Sequence, residues 1–269
     1  MNVFIIDNEL FIRLVCFLSV FAVMSIWEIV SPRRKLSSQK RLRWTNNLAL
    51  TILNALAVKV VFPAAAVGTA FVGELTGWGL FNVLTIPSAP AGFFSFMFLD
   101  LTIYTQHFVF HRVPLLWLLH RMHHADPDID VTTGARFHTI EIIVSMVIKI
   151  SVVTIIGAPA WSVLLFEIIL NATSMFNHSN IRIPVEVDNF LRRLVVTPDM
   201  HRVHHSIILA ETNSNFGFNF PWWDRIFRTY CAQPSLGHEG MNIGLNNFRD
   251  TKYLKLPWLL AIPFLVRNK

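Results

Sequence analysis

Eight of the eleven histidines in this 269-residue chain fall in two short stretches. The first holds His107, His111, His120, His123 and His124; the second holds His201, His204 and His205. The pattern is HxxxH, an interval of eight residues, HxxHH, and a later HxxHH. Imidazole is the commonest protein ligand for borderline transition metals and the usual proton handler near neutral pH. On a helix, residues at i, i+3 and i+4 share one face, so each stretch gathers its imidazoles. Structural zinc sites favour four ligands, mostly cysteines. Eight histidines exceed what one ion can use and point to two. A dinuclear centre held by histidines without charged carboxylates stays strongly electrophilic, which suits dioxygen activation. The carboxylate-bridged alternative, with Glu-x-x-His motifs in a four-helix bundle, is not visible in the chain.

The elements that must position these side chains are membrane helices. Hydrophobic residues make up 53% of the chain and charged ones 15%, with a mean hydropathy of +0.48. Soluble chains carry about 25% charged residues, so the class is a polytopic membrane protein. The net charge of +6 does not indicate nucleic-acid binding, because six basic residues cluster between 33 and 43, just after an apolar run. Cys16 and Cys231 are far apart and form no metal-binding or disulfide framework.

Residues 10–30, 46–72, 91–110, 140–156 and 160–177 read as apolar spans, the last two a hairpin broken at Gly157-Ala158-Pro159. The first lacks the basic flank of a signal peptide and reads as a retained anchor. The basic 33–43 run places that loop in the cytoplasm, in contact with anionic lipid. Threading the spans from there brings His107 through His138, His178 and His201 through His205 to the same face, an agreement in which the loop charge made no use of the histidines. Lys59, inside the second span, is expected to face the bundle or a polar cavity. The tail 254–266 contains two prolines and is too short to span, so an interfacial or re-entrant placement is expected. Thr197, Pro198 and Asp199 read as the N-cap and first turn of the helix carrying the last cluster.

These residues together resemble the fatty acid hydroxylase/sterol desaturase superfamily of integral-membrane non-haem di-iron enzymes. The resemblance covers residues 93–231 and extends to Asp100, seven residues before His107, to Arg136 through Glu141, to Phe176-Asn177-His178, to Thr197 through His201, and to Asn215-Phe216-Gly217 and Trp223 through Phe227. The spacing of the first cluster is similar to that of alkylglycerol monooxygenases, whose reductant is tetrahydrobiopterin. The resemblance implies that the eight motif histidines ligate metal, that His178 is an additional ligand, and that His138 is a further candidate, although Thr139 stands where proline is common. Ser174 occupies a position where some members have another histidine, and Arg228 one where many have glycine.

The expected architecture is all-α: a polytopic membrane bundle of about four to five spans with a cytoplasmic histidine-rich cap holding a dinuclear site. Residues 1–92 supply the N-terminal spans and basic loop, 93–231 the catalytic part, and 232–269 an interfacial tail. The expected reaction is hydroxylation, or alternatively desaturation, of a C–H bond in a lipid within the membrane: a fatty acyl group, ether lipid, aminolipid, sterol or carotenoid. It would use two iron ions, for which zinc can substitute in isolated protein, with O2 and an external electron donor, either a separate redox partner or a pterin-type reductant. A metal or proton-coupled transporter would distribute its ionisable groups through the spans. A bis-histidine haem carrier would not need adjacent histidines, and a zinc-holding interaction protein would not need the full motif set. Asp100 is expected to orient a ligand or pair with a basic residue. Asp126, Asp128 and Asp130 are assigned to a solvated loop, His238 to the surface, and Trp222 and Trp223 to a membrane-interface anchor.

Overall fold

The computed structural model describes residues 2–265, which are helical with no β-strand. Helix α1 spans Asn2–Val30, α2 Lys40–Val61, α3 Ala65–Thr76, α4 Leu80–Val83, α5 Ser88–Arg112 and α6 Pro114–His124. Then come α7 Thr139–Ile156, α8 Ala160–His178, α9 Val185–Leu191, α10 Pro198–His204, α11 Leu209–Thr212, α12 Trp222–Ile226, α13 Gly237–Gly240 and α14 Leu256–Ala261. Among the described residues, four stretches are long and apolar enough to cross a membrane: Asp7–Val30, Lys40–Val83, Thr139–Ile156 and Ala160–His178. Helix α5, expected as a span, is not among them, because its buried face carries Ser95, Asp100, Tyr104 and His107 beside its apolar residues.

The α7–α8 hairpin turns at Gly157, whose φ of 69° is left-handed. The span expected over 46–72 is instead broken between α2 and α3. Pro63 has no N–H to continue a helical ladder, and Ala65 takes a φ of 46°. Lys59 is exposed rather than turned inward, since α2 meets its neighbours through Leu50 and Asn54 on another face. Buried Leu99, Ile103, Val153, Val163 and Phe166 form the core between α3, α5, α7 and α8. Within it, Glu167 of α8 accepts from Lys149 of α7 at 2.5 Å and pairs with Arg13 of α1, so its charge is compensated by two elements.

The loop between α1 and α2, together with the first turn of α2, is a strap over the histidine end of the bundle. Arg43 is fully buried; its Nε donates to Asp126 at 2.6 Å and its Nη1 to Asp130 at 2.5 Å. Asp128 accepts from the backbone N–H groups of Ser37 and Ser38, both at 2.9 Å, and from their hydroxyls. Arg34 donates to the carbonyls of His238 and Met241. The three aspartates are therefore buried fixings for the basic loop rather than a solvated segment. Much of the positive charge expected at the lipid surface is consumed inside the protein. The tail docks on α6, where Arg121 donates to the carbonyls of Ile262 at 2.6 Å and Leu265 at 2.8 Å. Leu259 and Ile262 pack with Leu50 and Met122.

Candidate metal centre

Local sequence dictates how each histidine is presented. Pro114 opens α6 directly after α5, so the HxxxH pair on α5 and the HxxHH on α6 meet at a tight corner. Thr197 caps α10, its hydroxyl accepting from the Met200 N–H, with Pro198 at the first helical position as expected. Gly134, in a single 3-10 turn at Thr133–Ala135, lies against the end of α8. A Cβ there would come within 2.4 Å of the Ser174 carbonyl oxygen. That contact sets the last turn of α8, which carries His178.

Nine histidines converge in two adjoining groups. His107, His111, His120, His124 and His204 form the first; His123, His178, His201 and His205 form the second, with ligand atoms in each group all within 4.8 Å of one another. Each HxxHH divides: His120 and His124 enter the first group while His123 enters the second, and His201 and His205 enter the second while His204 enters the first. Adjacent histidines, about 100° apart around a helix, thus serve different groups. The groups touch where the His124 and His205 rings stack with centroids 4.6 Å apart.

In five of the nine histidines the ring nitrogen turned away from the centre is occupied. His107 Nδ1 donates to the Phe216 carbonyl at 2.8 Å, His123 Nδ1 to Arg136 at 3.0 Å, His178 Nδ1 to Ser174 at 2.7 Å and His204 Nδ1 to Ser214 at 2.7 Å. A carbonyl only accepts, so these Nδ1 atoms carry the protons and the Nε2 lone pairs point inward. His120 Nδ1 is bound in the same way by the Glu141 carboxylate at 2.7 Å. The inward Nε2 atoms of His107, His111, His120 and His204 are buried without a hydrogen-bond partner, and His124 and His205 have none at either ring nitrogen. Burial, reinforced by neighbouring imidazoles, holds His123, His124, His201 and His205 well below the ordinary histidine range, so they are neutral near pH 7.

A cluster of buried lone pairs facing one another is unfavourable unless a cation sits between them. In the second group, His178 Nε2 lies 3.1 Å from His123 Nε2 and 3.0 Å from His201 Nε2. Two nitrogens ligating one ion at right angles through bonds of about 2.1 Å are about 3.0 Å apart. The residues therefore fit a metal in each group. Phe137, stacked on His123 at 4.4 Å, and Phe218, 5.2 Å from His107, close the side facing the bundle core.

A family model described as fatty acid hydroxylase matches residues 92–229. The chain belongs to the fatty acid hydroxylase family. It is similar to the ornithine lipid hydroxylase of Rhizobium tropici, 26% identical over 231 residues that cover 82% of this chain and 67% of that one. It is also similar to the alkylglycerol monooxygenases of Homo sapiens, 25% identical over 65% of this chain and 39% of the relative, and of Xenopus tropicalis, 24% identical over 75% and 45%. This family member thus spans about two thirds of the bacterial relative and less than half of the two animal ones. No solved structure matches it.

Other family positions take defined places. His138 lies outside both groups: it is the N-cap of α7, its Nδ1 accepting from the Ile140 N–H, and its Nε2 is 3.2 Å from the Leu260 carbonyl. Ser174 replaces no ligand; its hydroxyl donates to the Gly134 carbonyl, and its own carbonyl holds His178. Asp100 touches neither a ligand nor a basic residue, accepting instead from the indole Nε1 of Trp223 at 2.7 Å. Trp223 is thus tied to α5 through Asp100 as well as being part of the closing motif. Asp224 accepts from the N–H groups of Phe216 and Gly217, fixing the carbonyl that holds His107. Arg228 has a φ of 59°, the left-handed conformation that glycine adopts most readily, which accounts for the glycine common at this position. His238 is buried, with its Nε2 3.5 Å from Asp199. Glu141 was visible in the sequence motif, but its role appears only when α7 is folded against α6.

Proposed function

We propose that this protein is a membrane-bound di-iron oxygenase that hydroxylates a C–H bond of a lipid. The observation that carries this reading is the pair of histidine groups with buried, inward lone pairs. A redox-active metal pair, when bound, supplies the electron transfer that splits dioxygen. The balance is RH + O2 + two electrons + two protons giving ROH + H2O, with the electrons coming from a separate redox protein or a pterin-type reductant.

The chain's own residues hold, orient and dry the centre. His107, His111, His120, His124 and His204 would hold one ion, and His123, His178, His201 and His205 the other. The carbonyls of Phe216, Arg136, Ser174 and Ser214 and the carboxylate of Glu141 fix the ring tautomers. Phe137 and Phe218 exclude water on the core side. Hydroxylation is favoured over desaturation because the similar proteins reported above are a hydroxylase and monooxygenases. The basic loop packs against the histidine end through Arg34 and Arg43, which supports a cytoplasmic centre by the positive-inside rule.

Lipid profiling of cells with and without the gene product, grown under oxygen-18 gas, tests the reading. A lipid gaining one labelled oxygen in cells making the wild type, and not in those making His124→Ala or His204→Ala, is the expected result. A lipid losing two hydrogens without label would replace hydroxylation by desaturation. Full product from either variant would overturn the site.

A further inference from the structure

Eight of the nine clustered histidines are buried, and His111 alone is partly exposed. It lines a cavity of about 300 Å³ whose walls include neither Phe137 nor Phe218. The floor is the His111 imidazole with the Trp117 indole beside it, ring centroids 4.9 Å apart. The walls come from two segments distant in sequence: one includes α11, and the other runs through Leu245 to Phe248. The second is laid across the cap by an antiparallel bridge between Ser206 and Ile243, by Ile207 N–H to the Asn242 carbonyl at 3.1 Å, and by Gly244 N–H to the His205 carbonyl at 3.0 Å.

The lining has a definite chemistry. Among the described residues it contains no lysine, arginine, aspartate or glutamate. Its polar side chains are the amides of Asn213, Asn246 and Asn247, and its apolar surface includes Trp117, Phe248 and Leu209. The hydroxyls of the lining Ser206 and Thr212 are engaged by the Ile208 N–H and by the Ser206 and Ile208 carbonyls. Leu209, at 73% exposed, offers an apolar rim. Side-chain amides both donate and accept, so they match an uncharged polar group. The lining side chains provide no cation to repay the desolvation of a phosphate or carboxylate, and the His111 Nε2 that would face a metal in the first group is itself fully buried. The volume lies at the lower end of the range of small-ligand sites, enough for a polar group and a few methylenes rather than a whole lipid.

We propose that this cavity is the substrate entrance to the first histidine group, and that it takes an uncharged hydrogen-bonding segment of a lipid (a glycerol, ester or amide unit) with the adjoining aliphatic carbons against Trp117. This rests on the oxygenase reading above. It adds the side of approach, which is past His111 and not through the bundle core, and the polarity of the group beside the oxidised carbon.

The test uses metal-loaded protein in lipid nanodiscs and two probes with the same dibrominated acyl chain: a neutral monoacylglycerol and the free fatty-acid anion. Bromine quenches nearby indoles on contact. Exposed tryptophans such as Trp27 and Trp78 are quenched by any brominated lipid in the bilayer. The expected result is therefore a saturable component of quenching above that background, given by the monoacylglycerol, absent from Trp117→Phe and requiring at least about tenfold more of the anion. An Asn213→Ala, Asn246→Ala double variant should weaken the neutral probe by about tenfold, as the loss of two ordinary hydrogen bonds would, with the bound metal unchanged. A saturable component undiminished in Trp117→Phe, equal or tighter binding of the anion, or no effect of the double variant with metal retained would each overturn the proposal. Quenching needs no turnover, so the two readings fail separately. Probe bound at Trp117 without any oxygenated product counts against the oxygenase; oxygenated product without Trp117 quenching counts against the entrance.

Discussion

The Glu141 carboxylate lies 2.7 Å from His120 Nδ1 and so joins the first turn of α7 to the last turns of α6. Outer partners of this kind orient a ligand and raise its basicity, and their loss typically costs 10–100-fold in metal affinity or activity. Glu141→Ala is expected to lower metal affinity of the isolated protein by about that factor. Glu141→Gln, which keeps an acceptor oxygen, should lose less. Metal titration of the two variants checks this, and equal affinity in both and in wild type would remove Glu141 from the centre.

His178 and His138 make opposite predictions although both lie near the motif clusters. His178→Ala is expected to reduce the metal held by the second group, leaving a chain that retains closer to one ion than two. His138→Ala should keep full metal content. Its cost is the α7 N-cap, about 1 kcal/mol of stability, and His138→Asn should recover most of it. Metal analysis with thermal unfolding in nanodiscs separates the two, and metal loss in His138→Ala would return that residue to the ligand set.

Arg43 is the buried tie between the strap and the cap. Replacing it with alanine leaves Asp126 and Asp130 facing a void with no strap cation. Removing one partner of a buried ion pair costs about 3–5 kcal/mol. Arg43→Ala is expected to accumulate as unfolded or aggregated protein, whereas Arg41→Ala, at an exposed position on the same helix, should behave as wild type. Comparing yields after detergent extraction and gel filtration is sufficient.

Burial pushes His238 down to about 4 from the usual 6.5, with the nearby Asp199 carboxylate opposing the shift. Between those values the unfolded chain takes up a proton that the folded one refuses, so this histidine contributes stability above about pH 6.5 that is lost as pH falls towards 4. His238→Gln should flatten that part of the stability profile and leave the region above pH 7 unchanged. Denaturation midpoints recorded at several pH values in wild type and variant check the difference. An identical slope would show that His238 does not titrate in this window.

Much of the centre was legible because its signals are local. The HxxxH and HxxHH spacings, the Thr197-Pro198-Asp199 helix start and the Gly157 hairpin depend on a few consecutive residues, and the structure has all of them as helix faces, a cap and a turn. The structure departs from the local signals where partners lie far apart. Asp126, Asp128 and Asp130 look like a solvated loop until Ser37, Ser38 and Arg43 arrive from about 90 residues away. Asp100 meets Trp223, which is 123 residues distant. His238 looked superficial because a polar, glycine-containing stretch gives no hint that Arg34 and Asp199 enclose it.

By itself, the sequence determined which side chains are available to a metal and which way a helix must present them, since helical pitch is fixed by the backbone. It also determined that the chain is membrane-embedded, since that follows from the length and polarity of its segments. Only the tertiary structure decided how nine histidines divide into groups of five and four, and that each HxxHH contributes to both. It alone supplied the carbonyls and the carboxylate that fix their tautomers, one of them 109 residues from its histidine. The physical reason is that ring orientation is set by the hydrogen bond on the far nitrogen, and that partner comes from whichever helix or loop packs there.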